Sequence, residues 1–322
     1  MESLSLSLPR EPPDMRPFRA SLALFLCLAA LSGGQALAQD KGSLNPTKLP
    51  PITNPDDPSI GAKQLFGRAE TAAPLAARTI GFYSRGCLAG AQALPVNGET
   101  WQVMRLSRNR NWGHPSLIAF LERFAAKAPA LGWRGLLVGD MSQPRGGPMI
   151  TGHASHQIGL DADIWLTPMP EHQMSRLERE ELSATNIVRE DWLDVEASRW
   201  TPKHLALIKA AAQDSEVERV LVNPAIKKAI CRDARGDRSW LAKVRPFYGH
   251  NYHMHVRIGC PDGDASCKSQ DPVPGGEGCD ASLAWWFTDE VLHPKPRPAG
   301  KPKPPMTLAQ LPGECRQVLL SK

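Results

Sequence analysis

Two histidine-rich segments, far apart along the chain, constrain its fold more than any other feature. Residues 152–165 read GHASHQIGLDADIW, and residues 248–256 read YGHNYHMHV. Five of the nine histidines fall here: His153, His156, His250, His253 and His255. Asp161 and Asp163 complete the first segment. Imidazole and carboxylate side chains are the usual nitrogen and oxygen ligands of zinc. A cluster of such groups is costly to bury without a purpose. The expectation is a metal site closed by the fold, with the rest of the chain holding the two segments together.

Both segments alternate in the manner of strands. In an extended chain, alternate residues share a face. His253, His255 and Arg257 therefore point together, and Met254, Val256 and Ile258 form the opposite, apolar side. Likewise Asp161 and Asp163 oppose Ala162 and Ile164, and Gly159 allows a sharp bend that leaves His156 on the entering turn. Three protein ligands plus water make a catalytic zinc site, and four protein ligands a structural one. Zinc brings the pKa of bound water down toward about 7, and a neighbouring histidine can take its proton or stabilise an oxyanion. No H-E-x-x-H and no G-x-S-x-G is present, and a nucleophilic Ser155 between the histidines has only weak support. His114, His172, His204 and His293 read as structural or surface residues.

Of the 322 residues, 42% are hydrophobic and 22% charged, an ordinary globular composition. The net charge of +5 is spread along the chain. It suits an anionic surrounding such as a cell wall and lacks the dense basic stripe of a nucleic-acid binder. Arg16 and Arg19 precede an apolar run at 20–31, and Ala36 and Ala38 supply the small residues of a cleavage site. Residues 1–38 therefore read as a signal peptide, with Met1 or Met15 as its start. The run falls short of the roughly 20 residues that span a bilayer, so no transmembrane segment is expected after its removal. Cys27 follows Phe25 and Leu26, which is no lipoprotein context. The six remaining cysteines of an exported chain imply three disulfides, in pairings the count leaves open.

Residues 39–62 form a Pro-, Asn- and Asp-rich leader. Apolar spacing at Leu117, Ile118, Leu121 and Phe124 predicts a helix over 115–128 started by Pro115 or Ser116. Further helices are expected at 175–182, at 202–212 behind a Thr201 cap, and at 224–232. Strands are expected at 135–139, 160–166, 217–222 and 251–258. A basic proline-rich tail begins after His293 and favours extended polyproline conformation. The domain reading is a signal peptide, a leader, one domain over 63–293, and a tail over 294–322 clipped back by Cys315.

His156 and Asp163 followed by His253 and His255 resemble the zinc signature of the LAS metallopeptidases, which comprise lysostaphin-, D-alanyl-D-alanine carboxypeptidase- and hedgehog-type domains. More narrowly, residues 83–91, 139–147, 152–165 and 245–257, in that order, resemble the penicillin-insensitive murein endopeptidase family. The resemblance implies an α+β fold around a small antiparallel sheet, flanked by helices and stabilised by disulfides. It implies one catalytic Zn2+ on His156, Asp163 and His255. His253 would be the general base, and His250 would stabilise the tetrahedral intermediate. The implied substrate is the D-alanyl-meso-diaminopimelyl cross-link of peptidoglycan, cut in the periplasm without an acylated serine. Additional metal contacts are implied near His153, Asp191 and Asp194. Asp194 is a carboxylate where the family more often offers histidine, which argues against a second ion, and both aspartates read equally well as exposed charges. The implied disulfides are Cys87–Cys315, Cys231–Cys279 and Cys260–Cys267. His153 and Asp161 read as groups outside the ligand set.

Two other functions compete. A D,D-carboxypeptidase would release terminal D-alanine from monomers, and a non-catalytic zinc domain would bind wall peptide or a partner protein. The presence of both His253 and His250 beside three ligands argues against the second. Oligomeric state is not encoded in any feature above.

Overall fold

The computed structural model describes residues 41–295 and 304–322. The expected signal segment 1–38 lies outside the described residues, as do residues 296–303 of the proline-rich stretch. Helix α1 (Ala62–Phe66) ends the leader. A hairpin follows, β1 (Arg78–Phe82) and β2 (Arg85–Ala89), then β3 (Gln92–Ala93), β4 (Trp101–Val103) and β5 (Trp112–Gly113). Next come α2 (Pro115–Lys127), β6 (Leu136–Val138), β7 (Asp161–Trp165), α3 (Arg176–Glu181) and α4 (Pro202–Gln213). The chain closes with β8 (Val217–Val222), α5 (Pro224–Asp233), β9 (Val244–Pro246), β10 (His253–Ile258), α6 (Ala281–Ala284), α7 (Asp289–Leu292) and α8 (Glu314–Leu320).

One six-stranded sheet, ordered β4-β6-β7-β10-β8-β9, organises this α+β fold. Its centre is antiparallel, as the resemblance implied, but β4–β6 and β8–β9 pair in parallel. The reason is the connection. A parallel pair needs a crossover segment, and α2 lies between β4 and β6 as α5 lies between β8 and β9. The sequence showed the helices but not the edges to which they return the chain.

The apolar sides of β7, β8 and β10 (Ala162, Ile164, Val220, Val222, Met254 and Val256) are buried with Leu117, Ile118, Leu121 and Phe124 of α2 in one core. The helix starts at Pro115, within the bounds its sequence suggested, and His114 is the cap, accepting from the Ser116 backbone N–H at 3.2 Å. His204, read from the sequence as a structural or surface residue, accepts from the Thr201 N–H at 3.1 Å and reaches the Leu166 carbonyl at 3.2 Å, fixing the start of α4.

Three disulfides join Cys87 to Cys315, Cys231 to Cys279 and Cys260 to Cys267. The first spans 228 residues. Closing so long a loop restricts the unfolded chain by about 5 kcal/mol in the chain-entropy account. Around it a second core forms from Phe66, Ile80, Leu308, Leu311 and Val318. Apolar burial therefore holds residues 304–322 to the body as well as the disulfide does. Among the described residues no helix is long and apolar enough to cross a membrane.

Candidate metal centre and catalytic site

Strand β7 lies between β6 and β10 in the middle of the sheet. Its register with β10 sets His255 opposite Asp163 and Arg257 opposite Asp161. Directly opposed residues share a face, so the polar sides of the two strands meet. The ladder runs one step beyond β6, with the Asp163 N–H donating to the Asp140 carbonyl at 2.9 Å. That step brings a third aspartate to the same place.

His156 enters from the turn before β7 with φ +65°, a left-handed conformation that costs a residue with a side chain about 1 kcal/mol or more. Asp161 offsets it by accepting from the His156 backbone N–H at 3.1 Å. Gly159, at φ +74°, completes the turn, and a Cβ there would stand 2.4 Å from Leu88 Cδ2 and 2.9 Å from the His114 nitrogen.

The resulting cage is centred on Asp163. Its Oδ1 lies 3.3 Å from His255 Nδ1, 3.5 Å from His156 Nε2 and 3.5 Å from His253 Nε2. Its Oδ2 lies 3.5 Å from His153 Nε2. His156 Nε2 and His255 Nδ1 are 3.1 Å apart. All of these groups except the half-buried His153 are buried, yet neither Asp163 oxygen has a hydrogen-bond partner. An orphaned buried carboxylate is costly, and two facing imidazole nitrogens require a proton or a cation between them. Nitrogen and oxygen ligands sit about 2.0–2.2 Å from a tetrahedral ion, hence about 3.3–3.5 Å from one another. The donor set fits a divalent metal ion in chemistry and in spacing.

Two ligand triads share His156 and Asp163. One is completed by His153, the other by His255. His255 and His153 differ in how their rings are held. His255 Nε2 contacts Asp161 Oδ1 at 2.7 Å, which leaves Nδ1 with a free lone pair toward the cage. His153 turns the same Nε2 toward Asp140 at 3.0 Å, so a proton there already serves the carboxylate.

The charges agree. Burial alone would raise the Asp163 carboxyl, but His253, His153 and His156 outweigh it and hold it well below the ordinary range. Burial, reinforced by His153, pushes His156 down to about 4. It pushes His253 down to about 4 as well, against the opposing pull of Asp163. Burial also lowers His255, but Asp161 and Asp163 together outweigh it and raise it. At neutral pH His156 and His253 are uncharged, the state a ligand or a base requires.

Asp140 is the feature that the sequence reading missed. It accepts from Arg110 at 2.8 Å and Arg108 at 3.0 Å and faces His153. The available signal was its position directly after the buried strand 136–138. His250 stands at the rim at φ +54°, its Nδ1 donating to the Tyr248 carbonyl at 2.7 Å and its ring centred 4.7 Å from that of His253.

Asp191 and Asp194 lie elsewhere. Asp191 is exposed, pairs with Arg189 and accepts from the Leu193 N–H at 3.0 Å. Asp194 meets Arg232 at 3.2 Å and Lys228 at 3.5 Å. Neither belongs to a metal-ligating group among the described residues.

With this geometry in view, the chain can be compared with known proteins. A family model described as penicillin-insensitive murein endopeptidase matches residues 79–320. Proteins of that name are similar in sequence. One from Haemophilus influenzae is 45% identical over 76% of this chain and 83% of its own length. One from Klebsiella pneumoniae subsp. pneumoniae is 41% identical over 88% and 95%, and one from Escherichia coli K12 is 43% identical over 76% and 87%.

Proposed function

Because the chain belongs to the penicillin-insensitive murein endopeptidase family, we propose that it is a zinc-dependent D,D-endopeptidase of the periplasm, cutting the D-alanyl-meso-diaminopimelyl cross-link of peptidoglycan. The observation that carries this reading is the buried Asp163 carboxylate, unpartnered and ringed by imidazole nitrogens at 3.3–3.5 Å. His156, Asp163 and His255 would hold the ion. When bound, zinc supplies Lewis acidity to the scissile carbonyl and acidifies water.

The remaining steps belong to the chain. His253 presents Nε2 to the cage and is neutral at pH 7. It takes the proton of the attacking water and returns it to the leaving amine. Asp161 holds His255 by Nε2 and is itself fixed by Arg257 at 2.6 Å. His250 adds a constraint. Its Nδ1–H is committed to the Tyr248 carbonyl, and burial, together with His253 and His255, keeps the ring neutral. Nε2 then carries a lone pair, so His250 stabilises an oxyanion only after accepting a proton there. With no acylated serine in the scheme, β-lactams do not block it.

The hedgehog/D,D-peptidase-like architecture and the division into signal peptide 1–38, leader 39–62, metallopeptidase domain 63–293 and tail 294–322 form part of the same reading. Purified cross-linked muropeptide dimers should be converted to monomers by the mature chain, and chelation should stop the conversion. Release of D-alanine from monomers instead would make it a carboxypeptidase. Persistence of dimers with zinc bound would leave a binding domain. His253→Ala should abolish cleavage and keep close to one ion per chain.

A further inference from the structure

Beside the metal centre the surface carries a run of aromatic rings for which the reaction has no use. Phe247 is 49% exposed, Tyr248 57% and Trp285 46%. The run begins at the reaction centre, where the Phe247 ring lies 5.4 Å from that of His250. It continues with Tyr248 edge-on to Trp286 at 4.8 Å, and with Trp286 against Trp285 at 5.3 Å. Contiguous exposed apolar rings on a folded chain mark a contact surface.

Both halves of the run are rooted on the start and body of α5. The Phe247 N–H donates to the Val222 carbonyl at 2.9 Å, and Asn223 Nδ2 donates to the Gly249 carbonyl at 2.9 Å, fixing the loop that carries Phe247 and Tyr248. The Cys231–Cys279 disulfide ties the segment leading to Trp285 and Trp286 to the same helix. Lys227 adds a bond from its Nζ to the Glu277 carbonyl at 2.6 Å. The rings are therefore held in place before any substrate arrives.

We propose that this platform is a subsite for the glycan strand of peptidoglycan, an N-acetylated amino-sugar chain whose apolar ring faces stack on the aromatic side chains. The inference rests on the murein reading of the site. A cross-link bound at His250 and His253 has sugar chains attached to it, and these must run outward across the adjoining surface. Charge selects sugar over stem peptide. Residues 277–292 carry Glu277, Asp280, Asp289 and Glu290 and no lysine or arginine. Glu277 is paired with Arg238 at 2.7 Å, which leaves Asp280, Asp289 and Glu290 to disfavour the free carboxylates of the peptide stems, while the sugars are neutral. Aromatic faces supply large contact area at low entropic cost.

The test uses the double variant Trp285→Ala/Trp286→Ala, which leaves every group of the metal centre and the Tyr248 carbonyl that holds His250 in place. The substrates are a cross-linked dimer bearing its sugars and the same dimer stripped of them by an amidase. On the sugar-bearing dimer kcat/KM should fall about tenfold, the loss of two stacked rings, and on the stripped dimer it should stay within about twofold. Titrating the intact protein with the tetramer of N-acetylglucosamine should quench tryptophan fluorescence saturably, and the variant should lose that quench. A variant that handles both substrates alike, whether unchanged or equally impaired, overturns the subsite. If the unmodified chain cleaved neither dimer, the murein reading would fall, and the titration alone would decide whether the platform binds sugar.

Discussion

The carboxylates of β7 and those of the 189–195 loop are built on opposite terms. Asp161 and Asp163 are fully buried, two residues apart on a central strand. Asp191 and Asp194 sit three residues apart on a surface loop, among Arg189, Lys228 and Arg232. In the interior an unpaired charge costs several kcal/mol, so each one retained there needs a counter-charge, donors or a metal. On the loop, water and flexible cations satisfy a carboxylate at almost no cost and little gain. The buried pair also differs within itself. Asp161 is contacted by His255 and accepts from Arg257 and the His156 backbone, whereas Asp163 accepts from no donor. Equal burial with unequal satisfaction separates the aspartate proposed to position from the aspartate proposed to ligate.

The largest effect should come from Asp163→Asn. It keeps shape and removes the anion at the centre of the imidazole cage. Metal content measured by mass spectrometry should fall to background, and cross-link cleavage should drop by at least about a thousandfold. Retention of one ion per chain in this variant would show that Asp163 is not a ligand.

Asp161→Asn should do less. The amide oxygen can still accept from Arg257, but the amide nitrogen then faces the His156 N–H in place of the second carboxylate oxygen, and the charge that fixes His255 through Nε2 is gone. Metal affinity should weaken by about 10–100-fold, the range for groups that orient a ligating histidine. Cleavage should recover at saturating zinc. If Asp161→Asn were as damaging as Asp163→Asn and excess metal did not rescue it, the distinction between the two aspartates would be broken.

How far the sequence reveals this site follows from the range of its signals. Period-two alternation is local, so the polar face of 253–257 and the apolar face beneath it were legible, as were α2, α4 and α5 from their apolar spacing and proline starts. Register is not local. Nothing in residues 139–145 alone says that Asp140 continues a ladder into Asp163, or that Arg108 and Arg110, thirty residues away, neutralise it. His153 was set outside the ligand group, and the structure brings it to 3.5 Å from Asp163. A three-residue offset along a turn does not convert to distance without the backbone angles, and here His156 bends the chain at positive φ. Asp191 and Asp194 entered through resemblance only, because acidic residues in a charged stretch carry no pattern of their own.

The smallest effect is the most informative about the loop. Asp194 is held by Arg232 and Lys228, whose side chains are about half exposed, and its Oδ1 accepts from the Val195 N–H at 2.7 Å. Asn at 194 keeps the backbone bond and loses only the two ion pairs. Exposed pairs of this kind contribute no more than about 1 kcal/mol together. Asp191→Asn/Asp194→Asn should therefore shift thermal unfolding by a few degrees at most, with cleavage within about twofold of the unmodified chain and the same metal stoichiometry. A fall in stoichiometry from two ions to one would reverse the comparison. The loop carboxylates would then be ligands that acquire their partner only when metal is supplied, and their ion pairs with Arg189, Lys228 and Arg232 would be the resting state of a second site.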